Sequence, residues 1–117
     1  MDKFDKIFPL LDYNSLSLIQ KEVGEWSTKN FGDGPAWHKL LGVAEEVGEL
    51  CHAYLKREQG IRGSTAKHRE EIIDAVGDIL IYLLDFCFRE GLDAESILQD
   101  TWARVSKRDW KVCPETG

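Results

Sequence analysis

The feature that most constrains this chain is an apolar periodicity of three and four residues, which runs from Leu16 to Val105 and is interrupted only at short glycine-containing loops. Apolar residues at this spacing line one side of an α-helix. No segment alternates apolar and polar residues over the length of a strand. The sequence therefore predicts an all-α fold, a small four-helix bundle-like domain.

Capping residues and glycines predict where the four helices begin and end. The first follows Asn14 or Ser15 and ends near Asn30, the second runs from about Ala36 to Gly60, the third from about Thr65 to Gly91, and the fourth from Asp93 to near Trp110. We expect one domain over residues 1–117, with a short N-terminal arm (about 1–14) and a C-terminal tail (about 111–117). The second and third helices are apolar over more than one stripe, which predicts self-association.

The charge of the chain excludes several kinds of partner. Lys and Arg number 15 against 21 Asp and Glu, a formal net charge of -6, so no general basic field attracts nucleic acid. The longest apolar run, Ile79 to Leu84, is six residues long, whereas a bilayer span needs about 20. We therefore expect no nucleic acid partner and no membrane partner. We also expect a cytoplasmic location, since the N-terminus lacks a signal-peptide core.

Two acidic clusters lie beside the apolar stripes of the second and third helices. Glu45–Glu49 holds three glutamates, and the segment 70–78 holds Asp74 and Asp78. If the two helices pack antiparallel, Glu46 and Glu49 face Asp74 and Asp78. Carboxylates without cysteine are the ligands that Mg²⁺ or Mn²⁺ prefers, with substrate phosphates completing the coordination. The clusters together predict a metal site for phosphate chemistry.

The alternative interpretation is that the acids form solvated helix faces, which is the commoner case for a single acidic run. The presence of two clusters favours the metal site. Gly48 and Gly77 lie inside the clusters, and each costs about 1 kcal/mol relative to alanine in a helix. A ligand site or a close helix crossing would explain both glycines.

These residues resemble the MazG-type all-α nucleoside triphosphate pyrophosphohydrolases, whose signature is EExxE on one helix and ExxD on the next, continuing as D-[IVL]-[IVL]-x-Y-[IVL]. The first half is complete as Glu45–Glu49, and the continuation reads Asp78-Ile79-Leu80-Ile81-Tyr82-Leu83. The segments 26–31 and 104–110 extend the likeness. Ala75 departs from the family, which usually has Glu three residues before the aspartate. Asp74 is the first candidate to replace it, and Glu71 the next.

The resemblance implies hydrolysis of a ribo- or deoxynucleoside triphosphate to a monophosphate and pyrophosphate, as nucleotide-pool house-cleaning. The self-association expected from the apolar helix faces leaves a homodimer and a homotetramer both open. The resemblance also implies Mg²⁺ as cofactor, with Mn²⁺ as a substitute. Glu45 is the candidate catalytic residue that orients or deprotonates water. The candidate metal ligands are Glu46, Glu49, Asp74 and Asp78. The candidate substrate-binding residues are Trp26, Asn30, Phe31 and Tyr82 for the base, and Lys56, Arg89, Lys107 and Arg108 for the phosphates.

Two alternatives stay open at the level of sequence. One is a non-catalytic helical module for oligomerisation or regulation that binds metal or nucleotide without turnover, which Ala75 favours. The other is a pyrophosphohydrolase of the phosphoribosyl-ATP type, which shares the carboxylate pattern. The sequence leaves the base and the sugar of the substrate open.

Overall fold

The computed structural model of the protein describes residues 15–117, and within them it contains four helices and no strand. The helices are α1 (Leu16–Phe31), α2 (Ala36–Gln59), α3 (Thr65–Glu90) and α4 (Ala94–Val105). The all-α prediction is confirmed, and the first three helices match their expected bounds closely. α4 is shorter than predicted: it ends at Val105, and the chain continues in turns from there. The expected N-terminal arm lies outside the described residues.

Side-chain caps and left-handed glycines set most of the helix ends. The Ser15 hydroxyl accepts a hydrogen bond from the backbone N–H of Leu18, and the Ser64 hydroxyl accepts one from Lys67. Each cap satisfies a backbone donor that the first turn of a helix leaves unpaired. α3 ends at Glu90 and is capped by Gly91, whose φ of 70° lies in the left-handed region that glycine adopts without strain.

α2 and α3 form an antiparallel pair, with the most extensive helix–helix contact in the described part of the chain. The Lys39 ammonium lies 3.3 Å from a carboxylate oxygen of Asp85, and both side chains are buried. Three residues further along α2, Gly42 contacts the ring of Tyr82, so closely that a Cβ at position 42 would lie 2.4 Å from a ring carbon. The two contacts fix the register, because a step forward along α2 matches an equal step back along α3.

α1 and α4 are attached to this pair near the C-terminal end of α3. Gly24 of α1 packs against the Phe88 ring. The buried Gln20 amide donates to the Leu92 carbonyl at 2.6 Å and accepts from the N–H of Ala94 at 2.9 Å. One glutamine therefore ties α1 to the connection between α3 and α4.

The buried apolar core of the described chain is small. Its members are Ala53, Ala75, Leu84 and Cys87. Many large apolar side chains are exposed, including Leu40, Leu41, Val47, Tyr54 and Leu55 on α2, Ile73, Val76, Leu80 and Leu83 on α3, and Ile97, Leu98 and Trp102 on α4. Despite this apolar surface, none of the helices within residues 15–117 has the length and hydropathy that crossing a membrane requires.

Candidate functional site

The acids of α2 meet an acid of α3 across the antiparallel pair. Burial raises the pKa of Glu46, and the neighbouring carboxylates of Asp78, Glu45 and Glu49 raise it further, in that order. A like charge raises a carboxyl pKa only where it lies close by. The structure thus brings together Glu45, Glu46, Glu49 and Asp78, in a region of concentrated negative potential.

The register explains what the alanine at position 75 does to this cluster. Glu46 faces Asp78. Because the two helices are antiparallel, Glu49, three residues later on α2, lies opposite Ala75, three residues earlier on α3. Ala75 is 4% exposed, which agrees with a place inside the helix contact. Asp74 lies about 100° further round α3, is exposed, and lines a groove on another side of the helix together with Asp78.

Glu71 is engaged elsewhere. Its carboxylate contacts the Nδ1 atom of the buried His68 at 3.3 Å and the Lys67 ammonium at 3.6 Å. The hydrogen bond with His68 is the main cause that lowers the Glu71 pKa. The Nε2 atom of His68 contacts the Ile61 carbonyl at 2.9 Å. Glu71 and His68 therefore hold the connection between α2 and α3.

The two glycines inside the acidic clusters do not mark a helix crossing. A Cβ built at Gly48 or at Gly77 meets no atom within 4 Å among those described, so the close-crossing explanation is wrong for both. Gly48 instead lines a depression of about 400 Å³ together with Glu45, Glu49 and His52.

The donor set of the cluster suits a hard cation, since Glu46, Glu49 and Asp78 offer only carboxylate oxygens. Within residues 15–117, no three His, Cys, Asp or Glu side chains are already arranged as a ligand set. The chemistry of the donors therefore fits Mg²⁺, whereas the coordination is not preformed in the described part of the chain.

Three of the predicted substrate-binding residues cluster at the C-terminal end of α1. The rings of Trp26 and Phe31 meet edge to face at 5.7 Å, and the Asn30 amide donates to the Trp26 carbonyl at 2.8 Å. The Lys39 ammonium lies 5.3 Å from the centre of the Phe31 ring. Lys39 precedes Glu46 by seven residues, so this aromatic group and the acids are about 10 Å apart along α2.

Sequence-based reasoning missed Lys39, a buried cation on the face of α2 that carries Glu46 and Glu49. Its partner Asp85 keeps a second carboxylate oxygen that is buried and has no hydrogen-bond partner among the described residues. A signal was present, because Lys39, Gly42, Glu46 and Glu49 follow one another at steps of three and four residues and so share one face of α2.

Among the other predicted substrate-binding residues, Tyr82 lies one turn of α3 from Asp78 and is half-buried against Gly42. The four predicted phosphate-binding cations are spread over the described chain. The Arg89 guanidinium donates to Thr28 at 2.9 Å and to Asp33 at 3.1 Å, about 16 Å along α3 from Asp78. The remaining cations are Lys56, which donates to Gln59, and Lys107 and Arg108, which are exposed beyond α4.

No family model, curated protein or solved structure matches this chain. What the site does therefore has to be inferred from its own residues: acids that converge from two helices, and an aromatic group further along α2.

Proposed function

We propose that the protein is a Mg²⁺-dependent nucleoside triphosphate pyrophosphohydrolase of the MazG-like type, which hydrolyses ribo- or deoxynucleoside triphosphates to monophosphates and pyrophosphate. The observation that carries the proposal is the proximity of Glu46 on α2 to Asp78 on α3, with Glu45 and Glu49 beside them. Concentrated carboxylates destabilise a folded chain. A bound cation that removes their repulsion is the simplest reason for them to be there.

Each acid has a role in this proposal. Glu46, Glu49 and Asp78 hold the metal, and Asp74, which lies further round α3, reaches it through a water. When bound, Mg²⁺ neutralises polyphosphate charge and lowers the pKa of a coordinated water. Glu45, on the exposed side of the cluster, orients the attacking water or takes its proton.

The aromatic group supplies the base-binding wall. Trp26 and Phe31 are both more than half exposed, so their rings are free to pack against a nucleobase. The sugar and the first phosphate then span the stretch of about 10 Å along α2 that separates these rings from the acids.

The phosphate-binding cations need a second subunit. Lys56, Lys107 and Arg108 are spread over the described chain, so they reach one polyphosphate only if copies of the chain assemble around it. The exposed apolar side chains of α2 supply a surface for a homodimer or homotetramer. We place this assembly in the cytoplasm.

A second candidate function is a non-catalytic helical module that binds metal or nucleotide. The observation that favours it is the burial of Ala75 opposite Glu49, which leaves one carboxylate fewer inside the cluster. Such a module would retain metal affinity without turnover.

The test is to identify the products of incubation with a panel of ribo- and deoxynucleoside triphosphates, with and without Mg²⁺, by phosphorus NMR. We expect Mg²⁺-dependent release of pyrophosphate, lost in Asp78→Asn and Glu49→Gln. Glu58→Gln is the matched control, since Glu58 lies on the same helix near its end and, among residues 15–117, pairs with its neighbour Arg57. If the wild-type chain binds Mn²⁺ but releases pyrophosphate from no triphosphate, the non-catalytic module replaces the enzyme.

A further inference from the structure

Residues of α1, α3 and α4 line an apolar groove of about 970 Å³ that is open to solvent. Its walls include Leu16 and Ile19 of α1, Leu80 and Leu84 of α3, and Ile97 and Leu98 of α4. Asp74, Asp78 and Thr101 are the polar side chains of its lining, and the remainder of the lining is apolar.

α4 depends on whatever covers this groove. None of its twelve residues is buried, and Ile97 and Leu98, which line the groove, are 46% and 59% exposed. A helix of this length is marginal in water without tertiary packing. Its tie to α1 through Gln20 fixes one end only, so the groove-facing side of α4 requires a further partner.

We propose that residues 1–14 of the same chain occupy this groove. The first described helix begins at Leu16, and Leu16 itself lines the groove, so the preceding segment begins beside the groove. That segment is rich in large apolar residues, namely Phe4, Ile7, Phe8, Leu10, Leu11 and Tyr13. Such side chains are the natural complement of an apolar groove.

The segment is also long enough. The groove follows α3 from Ile73 to Cys87, a distance of about 21 Å at the rise of an α-helix. Fourteen residues reach up to about 46 Å when extended, so the segment covers the groove even if it is not fully extended. A second copy of the chain is the rival occupant, but the exposed apolar residues of α2 lie outside the groove and provide a separate surface for it.

The test compares the full-length chain with its Phe4→Ser/Phe8→Ser double variant by hydrogen exchange of the α4 amides. We expect α4 to exchange about tenfold faster or more in the variant, the factor that corresponds to losing one buried phenylalanine. The phenylalanine double variant should bind more of the dye ANS than the wild type does, and its mass measured by light scattering should equal that of the wild type. Asp2→Ser/Asp5→Ser is the matched control in the same segment and should change none of the three.

Unchanged α4 exchange in the phenylalanine variant would overturn the proposal, as would a fall in mass, which would assign the groove to a second copy. A cross-link gives an independent check in folded protein, because Cys87 lines the groove. With Cys51 and Cys113 replaced by serine, Leu10→Cys or Leu11→Cys should form a disulfide with Cys87 within one chain. Disulfides only between chains, or none from either position, would contradict docking of the segment.

Discussion

Replacing Gly42 with alanine tests the antiparallel register of α2 and α3, because only that register puts the Tyr82 ring against position 42. Gly48, on the same helix, is the matched control. At position 42 the new Cβ would lie 2.4 Å from two ring carbons of Tyr82, whereas at position 48 it would meet no described atom within 4 Å.

The expected free energies follow from these two environments. Alanine gains about 1 kcal/mol over glycine inside a helix at either position. At position 42 the ring must move to admit the methyl group, and overpacking of this kind costs about 1–3 kcal/mol. Gly48→Ala should therefore raise the free energy of unfolding by about 1 kcal/mol. The free energy of unfolding of Gly42→Ala should be about 1–3 kcal/mol lower than that of Gly48→Ala.

Urea unfolding followed by circular dichroism at 222 nm measures the difference. With a slope of about 1–3 kcal/mol per molar urea for a chain of this size, the two midpoints should differ by on the order of 1 M. Equal stabilisation by both substitutions would refute the register, and with it the placement of Glu46 opposite Asp78.

Further predictions concern buried charge, helix caps and the acidic cluster. Lys39→Met should lower the free energy of unfolding by about 3–5 kcal/mol because it leaves the Asp85 carboxylate buried without its partner; adding Asp85→Leu should recover much of the loss in the same urea assay. Ser64→Ala should cost about 1 kcal/mol by removing the cap of α3, seen as a lower thermal midpoint. Glu46→Gln should stabilise the chain at pH 7 by a few tenths of a kcal/mol for each like-charged neighbour. Since folding raises the pKa of Glu46 above its ordinary 4.5, the charged form opposes folding as the pH rises past that value. The gain from Glu46→Gln should therefore vanish in urea titrations below pH 4.5, and a gain that persists there would contradict an electrostatic cause.

The helices were predictable from the sequence because their signals are local. Ser15, Ser64 and Gly91 act on the first or last turn of their own helix, and the apolar spacing depends only on the 3.6-residue period. The end of α4 was predicted too late, near Trp110, because no glycine or proline lies between Val105 and Trp110 to mark a stop. The helix ends at Val105, where the apolar spacing also ends.

The site was predictable only in part because its contacts cross between helices. The meeting of Glu46 with Asp78 followed from the antiparallel arrangement, which the short connection between the helices favoured. The sequence did not indicate that Ala75 would be buried opposite Glu49 and that Asp74 would line the groove. A rotation of α3 by one residue would place Asp74 opposite Glu49 instead, and the sequence does not distinguish the two arrangements. Nor did it reveal the pairing of Lys39 with Asp85, which depends on the register.

The measurement that tests the central claim most directly is a double-mutant cycle on metal affinity, with Mn²⁺ binding followed by electron paramagnetic resonance. If Glu46 and Asp78 hold one ion between α2 and α3, Glu46→Gln and Asp78→Asn should each weaken binding, and the double variant should be much less impaired than the two losses added together. Additive losses, or unchanged affinity in either single variant, would show that the two acids do not share an ion and would contradict the proposed site.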